Sequence, residues 1–230
     1  MFRDRQDAGR QLAEALAARA PQRPVVLALP RGGVPVAAEV AARLQAPLDL
    51  ILVRKIGMPD HAEYAAGAVV DGAEPDLVWN WPALASAGLR PEDLAPVVAA
   101  ELKTIAQRRA DWLGPRPPLP LEGATAIVID DGIATGATMR AALKVLARRR
   151  PARILLAVPC AAPDSLAALR PLADDILCLE APAGFYAVGA HYAAFPQTSD
   201  AEVKAILARY GAAEAAPSPP EPPPDSQAPA

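Results

Sequence analysis

Along this chain, short unbroken apolar runs alternate with segments whose apolar residues recur every three or four positions. The runs centre on Val25, Leu50, Ile127, Ile154 and Ile176 and read as buried strands. Between them, residues 34–44, 139–149 and 164–169 carry helical spacing. Residues 7–19 read as an amphipathic helix, with Leu12 and Leu16 one turn apart. Alternation of this kind predicts an α/β fold, a parallel sheet with helices on both faces. No self-similarity at the period of a solenoid is visible.

Residues 73–122 interrupt the alternation and hold all three tryptophans, Trp79, Trp81 and Trp112. Residues 91–112 are predicted largely helical, with Pro91 near the start and Leu94, Val97, Val98, Leu102 and Ile105 as the buried stripe. The sequence G-P-R-P-P at 114–118 stops that helix. The segment reads as a mainly helical insertion, either covering a site or serving an oligomer contact. Its tryptophans suit core packing or base stacking. Ser199, Asp200 and Glu202 form a capping pattern before a last helix over 203–210, which Gly211 ends. Residues 212–230 are rich in Pro, Ala and Ser and are expected to be disordered. One domain, 1–211, plus a tail is therefore expected.

Composition narrows the class. Of 230 residues 52% are hydrophobic, yet no run reaches the length of a membrane span. A net charge of −3 argues against a general nucleic-acid binder. The cations Arg148, Arg149 and Arg150 read as a helix end, where positive charge complements the dipole. The start is polar and charged, unlike a signal peptide. Cys160 and Cys178 lie in apolar strand-like runs and read as buried thiols, and no His/Cys cluster has zinc spacing. A soluble, cytoplasmic protein without membrane or nucleic-acid partners is the expectation.

The most informative stretch is A-I-V-I-D-D-G-I-A-T-G-A-T-M at 126–139. A buried strand ends in Asp130 and Asp131, a loop of small residues follows, and a helix begins. Two carboxylates so placed can accept hydrogen bonds from vicinal sugar hydroxyls. Gly132 and Gly136 permit close backbone approach to a phosphate, and Thr135 and Thr138 can donate hydroxyls to it. The helix start adds unpaired amides and partial positive charge. The loop has no lysine, so it is not the G-x-x-x-x-G-K-[ST] phosphate loop, and no G-x-G-x-x-G occurs. An ordinary strand–turn–helix connection with an Asp cap is the plainer alternative.

Two further segments have related form. The apolar run 24–29 ends at Pro30-Arg31-Gly32-Gly33 before a helix, so a parallel sheet would bring this loop to the same edge as the first. By itself, Arg31-Gly32-Gly33 could equally be a common turn. The run 50–53 ends in Arg54 and Lys55, and residues 60–66, including His61 and Glu63, are small and polar. A loop histidine can carry a proton near neutrality or simply be solvated. Farther on, Phe185 or Tyr186 suits stacking on a flat ring or ordinary packing.

At residues 127–138 the chain resembles the type I phosphoribosyltransferase family, whose signature is a hydrophobic strand, two acidic residues and a small loop ending T-G-x-[ST]. The resemblance implies a parallel-sheet core with a hood, binding of 5-phosphoribosyl 1-diphosphate (PRPP), and a homodimer. Asp130 and Asp131 would hold the ribose hydroxyls, and Gly132, Ile133, Ala134, Thr135, Gly136, Ala137 and Thr138 the 5-phosphate. Arg31, Gly32 and Gly33 would meet the diphosphate, with a non-proline cis peptide expected at Arg31–Gly32. Arg54, Lys55 and a mobile loop carrying Glu63 would close over it, and the loop after the last strand would form a hood over the accepting base.

The implied reaction transfers phosphoribosyl to a nitrogenous base and releases diphosphate. Mg²⁺ would be held largely through PRPP oxygens near Asp130 and Asp131. One departure concerns the base. Ala134 stands where some purine-salvage members carry an acidic residue, which argues against hypoxanthine or guanine salvage by that route. The accepting base is not legible. A PRPP-binding regulatory module without catalysis is the main alternative. A hydrolase on a similar sheet is the third, although no G-x-S-x-G or Ser-His-Asp arrangement supports it.

Overall fold

The computed structural model describes residues 1–59, 65–72 and 76–211. His61, Glu63 and the tail 212–230 lie outside the described residues. Helix α1 (Arg5–Ala17) is capped by Asp4, whose carboxylate accepts from the Asp7 amide at 2.7 Å. It precedes strand β1 (Pro24–Ala28), helix α2 (Gly33–Leu44) and strand β2 (Leu48–Leu50). Later come β6 (Thr125–Ile129), α5 (Ala137–Arg148), β7 (Arg153–Cys160), α6 (Pro163–Leu169), β8 (Asp175–Glu180) and α7 (Asp200–Gly211). The five strands form one parallel sheet in the order β2-β1-β6-β7-β8.

That order carries a functional consequence. The chain leaves β1 through α2 toward β2, and leaves β6 through α5 toward β7, in opposite directions across the sheet. The crevice outside the carboxyl ends of β1 and β6 is the switch point at which open α/β sheets bind ligands. Both faces are covered, so β6 is apolar from Ala126 to Ile129. Ile127 and Ile129 pack with Leu12, Leu16, Val36 and Val40 on one face, and Ala126 and Val128 with Leu143 and Leu146 on the other.

The middle of the chain departs from the expected pattern. The run 50–53 is not one strand ending in cations. β2 ends at Leu50, and a new strand, β3 (Val53–Gly57), begins an antiparallel sheet with β4 (Ala65–Val70) and β5 (Asp76–Trp79). The break is made by hydrogen bonding. The Ile51 amide still donates to Ala28 of β1 at 3.0 Å, whereas the Leu52 amide turns to the Asp71 carboxylate at 2.8 Å. Leu50, Ile51 and Leu52 are all buried, so hydrophobicity gave no sign of the change. The expected helical insertion is present as α3 (Trp81–Ala87), a 3₁₀ turn at Pro91–Leu94 and α4 (Ala95–Leu113), but its first described segment is β5. Trp112 is buried and Trp79 packs against the same core, while Trp81 is exposed.

A buried ionic clasp ties α4 to the parallel sheet. The Arg109 guanidinium donates to Asp71 at 2.7 Å and to both Asp49 oxygens at 3.2 Å. Asp49 also accepts from the Leu50 and Leu119 amides. Burial outweighs the nearby arginines and pushes the Asp71 carboxyl above its ordinary value. Removing Arg109 strands two buried carboxylates, so Arg109→Ala is expected to lose about 3–5 kcal/mol of unfolding free energy. An Asp whose folded pKa is raised costs most when ionised, so the loss should be larger at pH 8 than at pH 5. Urea unfolding at both pH values checks this; a loss below about 1 kcal/mol, in the range of exposed pairs, would show that the clasp is not buried in solution.

Candidate active site

The last paired residues of β1 and β6 are Ala28 and Ile129, and the Leu29 amide extends the ladder to the Ile129 carbonyl at 2.9 Å. The loops after these two strands therefore start side by side. They touch through backbone and carboxylate, because neither Gly32 nor Gly33 has room for a side chain. A Cβ built on Gly32 would collide with the Asp131 carboxylate, and one on Gly33 would stand 2.7 Å from the Ile129 carbonyl and 2.9 Å from Asp130 Cα. The cis peptide lies at Pro30–Arg31, one bond before the expected Arg31–Gly32.

Two helices begin at this edge, and no side chain compensates their N-terminal amides, although in α2 the Gly33 and Val34 amides donate to the Leu29 and Arg31 carbonyls at 3.0 and 3.1 Å. Neither α2 nor α5 has a capping side chain or an acid in its first turn, whereas α1, α6 and α7 carry such acids. Gly136 sits before α5 in the left-handed region (φ 70°), which a β-carbon disfavours. Ala134 and Thr135 are exposed, as are Ala137 and Thr138, while Gly132, Ile133 and Gly136 are buried beneath them. The loop is held from below. The Ile133 amide donates to Cys160 O at 2.9 Å, and Ser165 Oγ donates to Ala134 O at 2.5 Å. Exposed small residues over a helix start without a capping side chain leave room for an anion.

The two carboxylates differ. Asp130 accepts the Asp131 amide at 2.8 Å, and its surroundings are filled with protein although part of its surface stays accessible. Burial, then the neighbouring Asp131 charge, pushes its carboxyl well above the ordinary value. Asp131 is clamped at both ends. Arg5 Nε donates to its Oδ2 at 2.8 Å, and Tyr192 Oη donates to its carbonyl at 2.5 Å. Arg5 in turn lies over the Phe195 ring at 3.7 Å and donates to Pro196 O at 2.6 Å. These positioning residues escaped the sequence reading because their contacts span 126 and 61 residues of chain. One local signal existed. An arginine in the first turn of a helix opposes the dipole, so Arg5 needed a carboxylate elsewhere.

Arg31 reaches this edge, where its guanidinium meets Asp200 at the start of α7 at 3.4 Å. Arg54 and Lys55 are adjacent on β3 and so face opposite ways. Arg54 pairs with Glu101 of α4 at 2.7 Å, whereas Lys55 and Thr138 line one cavity. In the segment after β8, Phe185 stacks on His191 with centroids 5.0 Å apart, and His191 Nδ1 meets Glu180 at 2.9 Å. Tyr186 is fully exposed. Both cysteines are free thiols, and burial raises the Cys160 pKa to about 12.

Because ionised Asp130 is disfavoured by the fold, its raised pKa means a cost that grows as pH rises above the ordinary carboxylate range. Asp130→Asn keeps the hydrogen bond from the Asp131 amide and removes that cost. The substitution is therefore expected to raise the melting temperature at pH 8, by about 2–4 °C for each kcal/mol relieved. The gain should shrink toward pH 4. Scanning calorimetry of both proteins across this range checks the sign; a lower melting temperature at pH 8 would mean that the Asp130 charge stabilises the fold.

Three comparisons agree with this geometry. The family model described as phosphoribosyl transferase domain matches residues 4–192. Two Mycobacterium tuberculosis proteins, from strains CDC 1551 and H37Rv and both named putative phosphoribosyl transferases, are 46% identical over 230 residues, covering 96% of this chain. The chain spans 51% of the length of those curated relatives. The crystal structure of TT1426 from Thermus thermophilus superposes with a TM-score of 0.79 at 42% identity, over 91% of this chain and 98% of that one. By family model, sequence and fold together, the chain belongs to the phosphoribosyl transferase domain family.

Proposed function

We propose that this chain binds PRPP at the paired loops after β1 and β6 and transfers its phosphoribosyl group to a nitrogenous base, releasing diphosphate. The observation that carries the reading is the side-chain-free contact of Gly32 and Gly33 with Asp130 and Asp131. It supports a site in which a diphosphate held by one loop and a ribose held by the other belong to a single molecule. In this reading Asp130 and Asp131 accept the ribose hydroxyls, and the loop 132–138 cradles the 5-phosphate with the backbone amides left over once Ile133 has donated to Cys160 O. Arg31 turns from Asp200 to the diphosphate, where its fork of donors suits phosphate oxygens. As the bond to diphosphate breaks, positive charge builds on the anomeric carbon. The protein contributes position and charge stabilisation more than covalent chemistry.

The donor set also suits Mg²⁺ held mainly by the substrate. Among the described residues no group of three or more His, Cys, Asp or Glu side chains forms a metal cage. Asp130 and Asp131 offer hard oxygen donors at the ribose end, as a cation that keeps most of its shell from water and phosphate requires. When bound, the ion would neutralise the leaving diphosphate. Ala134 in the loop favours an acceptor other than hypoxanthine or guanine. The proposal includes a cytoplasmic homodimer, and no helix among the described residues is long and apolar enough to cross a membrane.

Arg54's engagement with Glu101 favours one second reading, a PRPP-binding module without turnover. A diphosphate-release assay with PRPP, Mg²⁺ and a panel of adenine, uracil, orotate, hypoxanthine and guanine separates the two. Base-dependent release from the wild type, lost in Asp130→Asn/Asp131→Asn, is the expected result. Saturable PRPP binding with no release for any base would support the regulatory module instead.

A further inference from the structure

Between α5 and the antiparallel sheet lies a cavity of about 550 Å³, within the span of small-molecule sites, roughly 300–1,000 Å³. Its floor is apolar, built from Val53, Ala68 and Val78 on the sheet and Ala141 on α5. Its rim is cationic. Lys55 reaches it from β3, and Arg140 and Lys144 from α5. Among the described residues no aspartate or glutamate lines it.

The charge pattern of α5 is informative. In a chain with a net charge of −3, this helix carries three cations and no acid over 12 residues. Arg140, Lys144 and Arg148 lie four apart, on one face. Arg148 has its counter-ion, Asp76 of β5, at 2.8 Å. The side chains of Arg140 and Lys144 have no hydrogen-bond or ion-pair partner among the described residues. Two cations facing a walled apolar space without a carboxylate define a place for an anion.

The cavity also has an aromatic edge. Trp81 is 62% exposed, whereas Trp79 and Trp112 pack against the core. The backbone that carries it is held from behind. Asn80 donates to Ala65 O at 3.2 Å and accepts from the Ala83 amide at 3.4 Å, which anchors the start of α3 with Trp81 as its first residue. An exposed indole on an anchored helix start, beside an apolar floor, suits a flat ring.

We propose that this cavity is a second ligand site, for a nucleoside phosphate whose ring lies against Trp81 and whose phosphate meets Arg140 and Lys144. A bare phosphate would leave most of the volume and the indole without a partner, and an uncharged ring would leave the two cations without one. The site is distinct from the cradle of residues 132–138. Its cations sit one and two turns farther along α5, although Ala137 and Thr138 border both.

The test is titration of AMP, ADP and GDP into the full chain, followed by tryptophan fluorescence, with inorganic diphosphate as control and without PRPP or Mg²⁺. Saturable quenching by a nucleotide is expected, weakened about tenfold or more in Arg140→Ala/Lys144→Ala through loss of two charge-assisted contacts. Arg140→Gln/Lys144→Gln serves if that pair fails to fold. A nucleoside monophosphate is also the product of the proposed transfer and can occupy the Asp130/Asp131 site, so the titration is repeated in Asp130→Asn/Asp131→Asn, where binding that depends on Arg140 and Lys144 should persist; this separates failure of this proposal from failure of the PRPP reading. Any of four results overturns it: no binding at millimolar nucleotide, unchanged affinity in both charge-removed pairs, diphosphate binding as tightly as ADP, or loss of nucleotide binding in the Asp130/Asp131 variant. Ultracentrifugation showing self-association that Trp81→Ala abolishes would also overturn it, by placing a second copy on this face.

Discussion

The structure depends on one close approach. Two adjacent parallel strands end together, and the loops that follow meet with no side chain between them. Gly32 and Gly33 lie against Asp130 and Asp131, and any larger residue at either glycine would push the loops apart. Register makes this approach possible, because β1 and β6 stay paired up to Ala28 and Ile129. Topology gives it a use, since α2 and α5 depart to opposite faces and leave the crevice open between their N-termini.

The same approach creates an electrostatic burden. Two neighbouring carboxylates sit where protein has displaced much of the water, beside helix starts that lack any acid of their own. The fold answers for Asp131 with Arg5, which is itself held by Phe195 and Pro196. Among the described residues it gives Asp130 only a backbone amide, and it raises the Asp130 pKa. A carboxylate kept at such a cost is a mark of a site shaped for a ligand rather than for stability. On the PRPP reading, the ribose supplies the hydroxyl donors that the free protein lacks, and Mg²⁺ held with the substrate would supply the positive charge.

The parallel sheet was legible because each of its strands is an apolar run next to a helical pattern, and the Asp-Asp loop because its spacing has few other uses. The capping pattern at Ser199 was equally local, and the Glu202 amide does donate to Ser199 Oγ at 3.1 Å. What escaped detection was non-local. Residues 67–72 read as a short strand and turn, matching β4, but the break between β2 and β3 that starts the antiparallel sheet hid inside an apolar run that stays buried whichever sheet it joins. The pairing of Arg54 with Glu101 of α4 and of Arg5 with Asp131 joins residues far apart in the chain, which no local pattern announces. One-residue detail also escaped, as the cis bond at Pro30–Arg31 illustrates.

The central claim is that the two loops form one PRPP site, and calorimetric titration of PRPP with Mg²⁺ into the folded protein tests it most directly. The account predicts saturable binding at one site per chain, with ribose 5-phosphate alone and diphosphate alone each binding more weakly than the intact molecule because each engages one loop. Absence of binding at millimolar PRPP, or affinity for ribose 5-phosphate equal to that for PRPP, would contradict it.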